Sequence, residues 1–532
     1  VLKKTQEAME RRESRQMNEN GREALVLNGS NLTLDEVREV VYERRPVKID
    51  ESRIPLLRES RQVLFDMAAE GKPVYGLNHG VGWNKDREFG VEFFEQFNRN
   101  LIRSHSVGVM PYAEVEEVRA MMLIRLNTAL CCRSGISVDI LRMYEEFLNR
   151  QIHPRAKHRG AEGIGDVNTM SHIGLAIIGD GEVEYHGKIV PAKEAIAAEG
   201  LKIPVLGPKD GLSIVSNGSH CAAQTALLAM ECEDLLELAN VVYCLSLEGL
   251  NGGLQPLGVM VNEARGLAGQ IRCAADCRRY LAGTYLEEPD PARALQDPLS
   301  YRCGAAVNGS VRDALDYMES VLLTEMNHTG DNPCIIYEEH TTSVSPNFEV
   351  TTLSLAVDMM AAALCHMSRM VTNRLFRLVD PNFSKLSRFL TPDEVKVIGY
   401  STYQKTICAL DAENRWLSNT TSTDFDPVAG DIEDHASNLS LAARRSLRIV
   451  DNLRYMIAVE LVHACQAVDM RRDSRPDLPL GHVTGPVHQD FRTVVPRLWE
   501  DRNLSEEMET AYQYIKSGRL TKVIREADRK TD

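Results

Sequence analysis

The chain has 532 residues, 43% of them hydrophobic, and a formal net charge of −15. That balance suits a folded globular protein and argues against a nucleic-acid or anionic-membrane surface, because both demand basic patches. Twelve cysteines are scattered through apolar settings such as those of Cys244 and Cys365, which is the pattern of reduced core cysteine in a cytoplasmic protein.

In chain order, residues 1–24 form a charged lead-in without the apolar segment of a signal peptide. No uninterrupted apolar run is long enough to span a bilayer. Residues 25–218 divide into short mixed elements. LVLNG has a strand signal, and Thr33 or Asp35 is placed to cap a helix that turns Val37, Val40 and Val41 inward. Ser52–Glu70 has an amphipathic helical pattern, which GKPVYGLNHGVGWNKD (71–86) breaks with four glycines and a proline. A loop of that composition lets the backbone approach a ligand closely. Val91–Arg150 returns to helical spacing.

Arg159–Gly181, RGAEGIGDVNTMSHIGLAIIGDG, joins a glycine-rich loop to an apolar run in which Met170, Ile173, Gly174, Ile177 and Ile178 recur at helical spacing. VEYHGKIV then suggests a β-hairpin, AKEAIAAEG a helix, and GPKDGLSIVSNG (207–218) a second glycine-rich turn. Residues 219–472 alternate long helical patterns with short breaks and carry no 20–50-residue repeat, so they form a central bundle and not a solenoid. Residues 473–532 open on a proline-rich linker and close in a charged helical segment. Cys273 and Cys277 are one helical turn apart, but without companion histidines they make a poor zinc site, and no metal is expected.

Five stretches, PVYGLNHGVG (73–82), NLIRSHSVG (100–108), the central glycine-rich loop, DPLSYRC (297–303) and NHTGDNP (327–333), together resemble the aromatic amino acid ammonia-lyases and aminomutases, over about residues 25–480. The resemblance implies a mainly α, ammonia-lyase/fumarase-like fold with a long central helix bundle and a smaller mixed N-terminal region. It also implies a homotetramer with active sites shared between subunits. Members of that family carry an Ala-Ser-Gly triplet that cyclises into an electrophilic methylidene-imidazolone. Here the triplet reads Gly163-Ile164-Gly165, and no serine lies between Ser137 and Ser171. A dehydrated electrophile needs a serine or cysteine to lose water from, so the expectation is the family's pocket with no cofactor.

The resemblance places Tyr75 as the catalytic base and Arg302 on the substrate carboxylate, where a guanidinium fork makes two parallel hydrogen bonds. Asn217 assists there, and His105 and Gln296 fall at pocket positions. Lys405, in STYQKTICALDAENR, and Glu433, in IEDH, fall where the family meets the side-chain end of its substrate. A lysine and a glutamate there could hold and protonate a polar five-membered ring. Leu299 stands where the family often has a tyrosine, with Tyr301 two places on. Tyr301, Phe348 and Trp83 are the aromatic candidates for surrounding a methylated cation.

A quaternary ammonium has no lone pair to attack an electrophile and leaves as a neutral amine, so it makes the missing cofactor dispensable. The chemistry resembles that of an ergothionase-like, cofactor-free branch of the family: a carbon-nitrogen lyase eliminating trimethylamine from ergothioneine to give thiolurocanate. Two alternatives stay open: a histidine or aromatic amino acid ammonia-lyase with an atypical electrophile, and a catalytically inactive homologue that binds an amino acid derivative.

Overall fold

A computed structural model describes residues 22–529, so all but the last three residues of the expected lead-in lie outside it. The described chain forms two compact units. One takes in the residues up to Met230 with Glu319–Val357 and Thr420–Arg444, and the other Glu231–Met318, Asp358–Asn419 and Arg445–Asp532. The contiguous division expected at 218 and 472 is therefore redrawn. Its physical reason is that the boundaries fall inside the long helices Ser219–Leu250, Gly304–Asn327, Thr351–Leu378 and Leu439–Ser474, each of which contributes to both units. No described helix is long and apolar enough to cross a membrane.

The first unit begins with strand Leu25–Leu27 paired in parallel with Val47–Ile49. Between them, helix Leu34–Tyr42 starts at a capping box in which Thr33 accepts from the Glu36 amide, and Val37, Val40 and Val41 are fully buried. Helix Ile54–Ala69 buries Val63, Leu64 and Met67 against Val74, Leu77 and Ile335. Val74 and Leu77 thereby pin the chain on either side of Tyr75 into the core, which fixes that ring from a loop otherwise rich in glycine.

The expected hairpin is present as Glu182–Tyr185 against Lys188–Pro191, with Ile152–Pro154 as a third strand. Two elements depart from the sequence pattern. Val109–Tyr112 is a strand, inside a stretch expected to be helical, because it pairs with Lys157–Arg159 nearly fifty residues on. Within 207–218, Asp210–Val215 is a buried helical turn and a half, and it packs with helices Phe94–His105 and Val167–Ile177.

The second unit is almost wholly helical. Its buried polar groups are matched across helix faces: Arg374 and Glu460, both without exposure, form a two-pronged ion pair, and Asn308 donates to Asn240 at 2.8 Å. The proline-rich opening of the last segment has no helix over 475–483, but its end folds into helix Thr484–Arg492, and the charged helical close is present as Leu504–Lys516 and Arg519–Asp528.

Candidate active site

The central loop is held by neighbours on both sides. Gly163, Gly165 and Asp166 all have positive φ, at 76°, 62° and 51°, a region that costs an L residue about 1 kcal/mol or more. At Gly163 a Cβ would collide with the Ser437 hydroxyl, which donates to the Gly163 carbonyl at 3.2 Å. The Asn438 amide donates to Glu162 O at 2.7 Å, the Asn217 amide donates to Gly165 O at 2.7 Å, and Ile164 makes an antiparallel bridge with Glu349. The carbonyls of the triplet's two glycines are thus spent on hydrogen bonds to other segments.

Tyr75, partly buried, accepts the Gly82 N–H at 2.8 Å on its phenol oxygen. Burial raises its pKa above the ordinary phenol value; the Gly82 amide works against this and the Glu433 carboxylate adds to it. Glu433 is close by: its Oε1 would lie 3.5 Å from a Cβ on Gly82. A two-way backbone bridge to Val428 fixes it in place. Burial pushes its carboxyl above the usual range, with His105 opposing and Glu162 reinforcing the shift. His105, the last residue of helix Phe94–His105, has its Nδ1 2.8 Å from the Leu101 carbonyl and 3.0 Å from Ser104 Oγ. Tyr75, Glu433 and His105 are therefore brought together within the first unit, along with Glu162, which sequence reasoning did not single out.

Asn217 is 1% exposed. Its amide nitrogen donates to Ile214 O and its Oδ1 accepts the Ser219 N–H, each at 3.0 Å, so the side chain caps the helix that follows. One amide hydrogen and one lone pair of the side chain remain beyond these two bonds. Phe348, partly buried, sits next to Glu349 and hence beside Ile164 in the chain pairing. Trp83 is 72% exposed.

In the second unit, Arg302 ends the short helix Leu299–Arg302 and donates to Gln296 Oε1, so these two expected partners do meet. Lys405 is exposed on the first turn of helix Tyr403–Leu417. Tyr301 corrects the expectation placed on it: its ring is fully buried, and its hydroxyl meets Ser246 Oγ at 2.9 Å and the Arg374 carbonyl at 3.2 Å. Facing inward with its polar end satisfied, it packs the bundle and is no candidate for surrounding a cation.

Among the described residues, one group of His, Cys and acidic side chains is close enough to suggest a metal: Asp166, His220 and Cys221, with donor atoms within 4.8 Å of one another. Asp166 and Cys221 are spent on each other, while His220 turns its Nε2 to Glu117 and its Nδ1 has no hydrogen-bond partner. Asp166 accepts both the Cys221 N–H and its thiol, at 2.8 and 2.9 Å, and burial holds that thiol well above its ordinary pKa. The sequence signal that could have found this cluster is His220 and Gln224, one helical turn apart in the alanine-rich start of helix Ser219–Leu250 and both buried.

Comparison with known proteins gives a consistent picture. Residues 32–493 match the aromatic amino acid lyase family. Histidine ammonia-lyase of Koribacter versatilis is 36% identical over 94% of this chain and 99% of its own length. Ergothionase of Treponema denticola, solved with desmethyl-ergothioneine sulfonic acid, superposes with a TM-score of 0.91 at 51% identity, covering 94% of this chain and 99% of that one. Tyrosine aminomutase of Streptomyces globisporus superposes at 0.89 with 27% identity, covering 95% and 99%.

Proposed function

This chain belongs to the aromatic amino acid lyase family, and from that premise we propose that it eliminates trimethylamine from ergothioneine, or a close histidine betaine, to leave thiolurocanate. The observation that carries this reading is Ile164. It stands where the family's serine would supply the methylidene-imidazolone, and its side chain has no hydroxyl to lose as water. The residues present do not fit that group, so no step is routed through it. The 51% identity to ergothionase supports the same choice of substrate, while the histidine ammonia-lyase relatives support the imidazole ring in it.

The chemistry follows from the charges. Tyr75 rests as a neutral phenol, since burial and Glu433 both favour its protonated form. A trimethylammonium group brings a permanent positive charge that favours phenolate, so as substrate binds Tyr75 releases its proton to solvent and becomes the base. Tyr75 takes a Cβ proton, the electron pair forms the Cα–Cβ double bond, and the Cα–N bond breaks with its electrons leaving on trimethylamine. The five-membered ring shares the developing negative charge. Glu433, whose carboxyl is raised toward its protonated form, donates to that ring, with Lys405 as the second ring contact. Arg302, already oriented by Gln296, holds the carboxylate. Phe348 offers an aromatic face to the methyl groups. His105 opposes the upward shift of Glu433, and in the proposed homotetramer neighbouring subunits complete each site.

Incubating the purified protein with ergothioneine should release trimethylamine together with a new conjugated absorbance. Its intact mass should equal that of the unmodified chain. Ammonia from histidine with no trimethylamine, or a mass lowered by dehydration, would overturn the proposal in favour of an ammonia-lyase with an unusual electrophile.

A further inference from the structure

Directly behind the central loop lies a set of buried charges that the proposed chemistry does not use. His220 is wholly enclosed. Its Nε2 is 3.2 Å from Glu117 Oε1, and its Nδ1, which has no hydrogen-bond partner, faces Asp166 Oδ1 at 3.8 Å. Two carboxylates, 9% and 1% exposed, thus flank one imidazole. Asp166 is the residue that follows the Gly163-Ile164-Gly165 triplet, and it is held at φ 51°. A left-handed aspartate persists only when its surroundings over-determine it. Here the side chain is tied to the first turn of helix Ser219–Leu250 through the Cys221 N–H, the Cys221 thiol and the face of His220.

We propose that His220 is a positioning residue: as an imidazolium wedged between Glu117 and Asp166, it anchors the aspartate that keeps the Gly163–Asp166 loop in its left-handed turn. A neutral ring could donate to only one of the two carboxylates and would leave like charges facing each other in a dry interior. The other groups around it agree with this charge state. Glu117 also contacts His158 Nδ1 at 3.2 Å and accepts from Gln224 Nε2 at 2.9 Å. Burial acts to raise its carboxyl, but His158 and His220 outweigh that and hold it down at about 2. Glu325, which faces Asp166 and Cys221, is pushed up to about 7 by burial, then by Glu349 and Asp166. Arg444, facing Glu117 and Cys221, has its pKa lowered by burial and by Arg159. His220 itself is carried up to about 9, its carboxylate neighbours overcoming the opposing effect of burial.

The consequence for turnover rests on the proposed function, whereas the consequence for the loop does not, so the two are measured separately. In His220→Gln, hydrogen exchange of peptides covering residues 160–168 should speed up by about tenfold or more at neutral pH, while distant helices keep their protection. Because the folded pKa is raised, the stabilisation by His220 is complete below about pH 6.5 and is lost as pH rises through about 9. The melting-temperature gap between wild type and His220→Gln should therefore close toward pH 10. Glu117→Gln/His220→Gln, which removes one negative charge along with the positive one, should recover most of the loop protection and most of the kcat lost in the single variant, with KM little changed. Should His220→Gln not fold, Glu117→Gln alone serves: losing one flanking carboxylate should move the alkaline fall in stability toward neutral pH. Unchanged exchange in His220→Gln, a double variant no better than the single, an unmoved alkaline limb in Glu117→Gln, or one equivalent of bound zinc in the purified protein would each overturn the assignment. Wild type inactive on ergothioneine, with these exchange and melting results intact, would instead count against the proposed function alone.

Discussion

The helical unit and the loop-bearing unit use buried charge in opposite ways. In the helical unit, Arg374 and Glu460 meet in a two-pronged pair with no exposure on either side, and the Arg374 carbon lies 5.3 Å from the Tyr243 ring centre. Both carboxylate oxygens of Glu460 are taken by Arg374 nitrogens, while the buried Arg374 Nη1 is left without a hydrogen-bond partner. Around Tyr75 the balance is different. Glu433, Glu162 and His105 influence one another electrostatically with no hydrogen bond between them, and the phenol and the Glu433 carboxyl both sit away from their ordinary pKa values. Complete pairing goes with rigidity, and incomplete pairing of half-buried groups goes with a place where something else binds.

That contrast can be broken most sharply at its ends. Arg374→Ala leaves Glu460 buried and alone and should cost about 3–5 kcal/mol of stability, read as a large drop in melting temperature with activity per folded molecule retained. Loss of activity without loss of stability would erase the distinction. Tyr75→Phe should do the reverse, lowering kcat for trimethylamine release by about 10²-fold or more while the melting temperature and ligand affinity hold. Arg302→Lys, which trades a fork for a point charge, should raise KM by about tenfold in steady-state assays.

The smallest effect sharpens the comparison. The Glu433 pKa is raised in the folded state, so the folded protein holds its proton more tightly, and stability declines as pH rises from the ordinary glutamate range through the raised value. Glu433→Gln should therefore melt at the same temperature or slightly higher at pH 7, while losing the fall in kcat/KM that accompanies deprotonation of Glu433 as pH rises. A lower melting temperature would mean that Glu433 is paired after all.

Local signals carried much of this into the sequence. The capping box at Thr33, the inward stripe of Val37, Val40 and Val41, and the hairpin at 182–191 depend on neighbours a few residues away, and the structure has them. Strand Val109–Tyr112 depends on a partner near residue 158, so its own composition could not announce it. The same distinction separates the site residues. Tyr75, Glu433 and His105 were visible because they sit in stretches with a recognisable pattern, and the structure gathers them. Tyr301 lies in one of those stretches too, but the side on which a helical residue faces is set by packing, and here it faces Ser246 and Arg374. Glu162, Glu325 and the Glu117–His220–Asp166 set were missed because their meaning comes from burial beside charges on other segments of the chain.

Ile164 carries a last consequence, for the life history of the enzyme. A relative that must build its own electrophile has a second clock after folding, during which a correctly shaped chain is still inert. With an isoleucine at that position, bridged to Glu349, no chemical ripening remains once the backbone has found its shape. Activity should return in step with refolding from denaturant, and reagents that quench electrophilic carbons should leave it untouched.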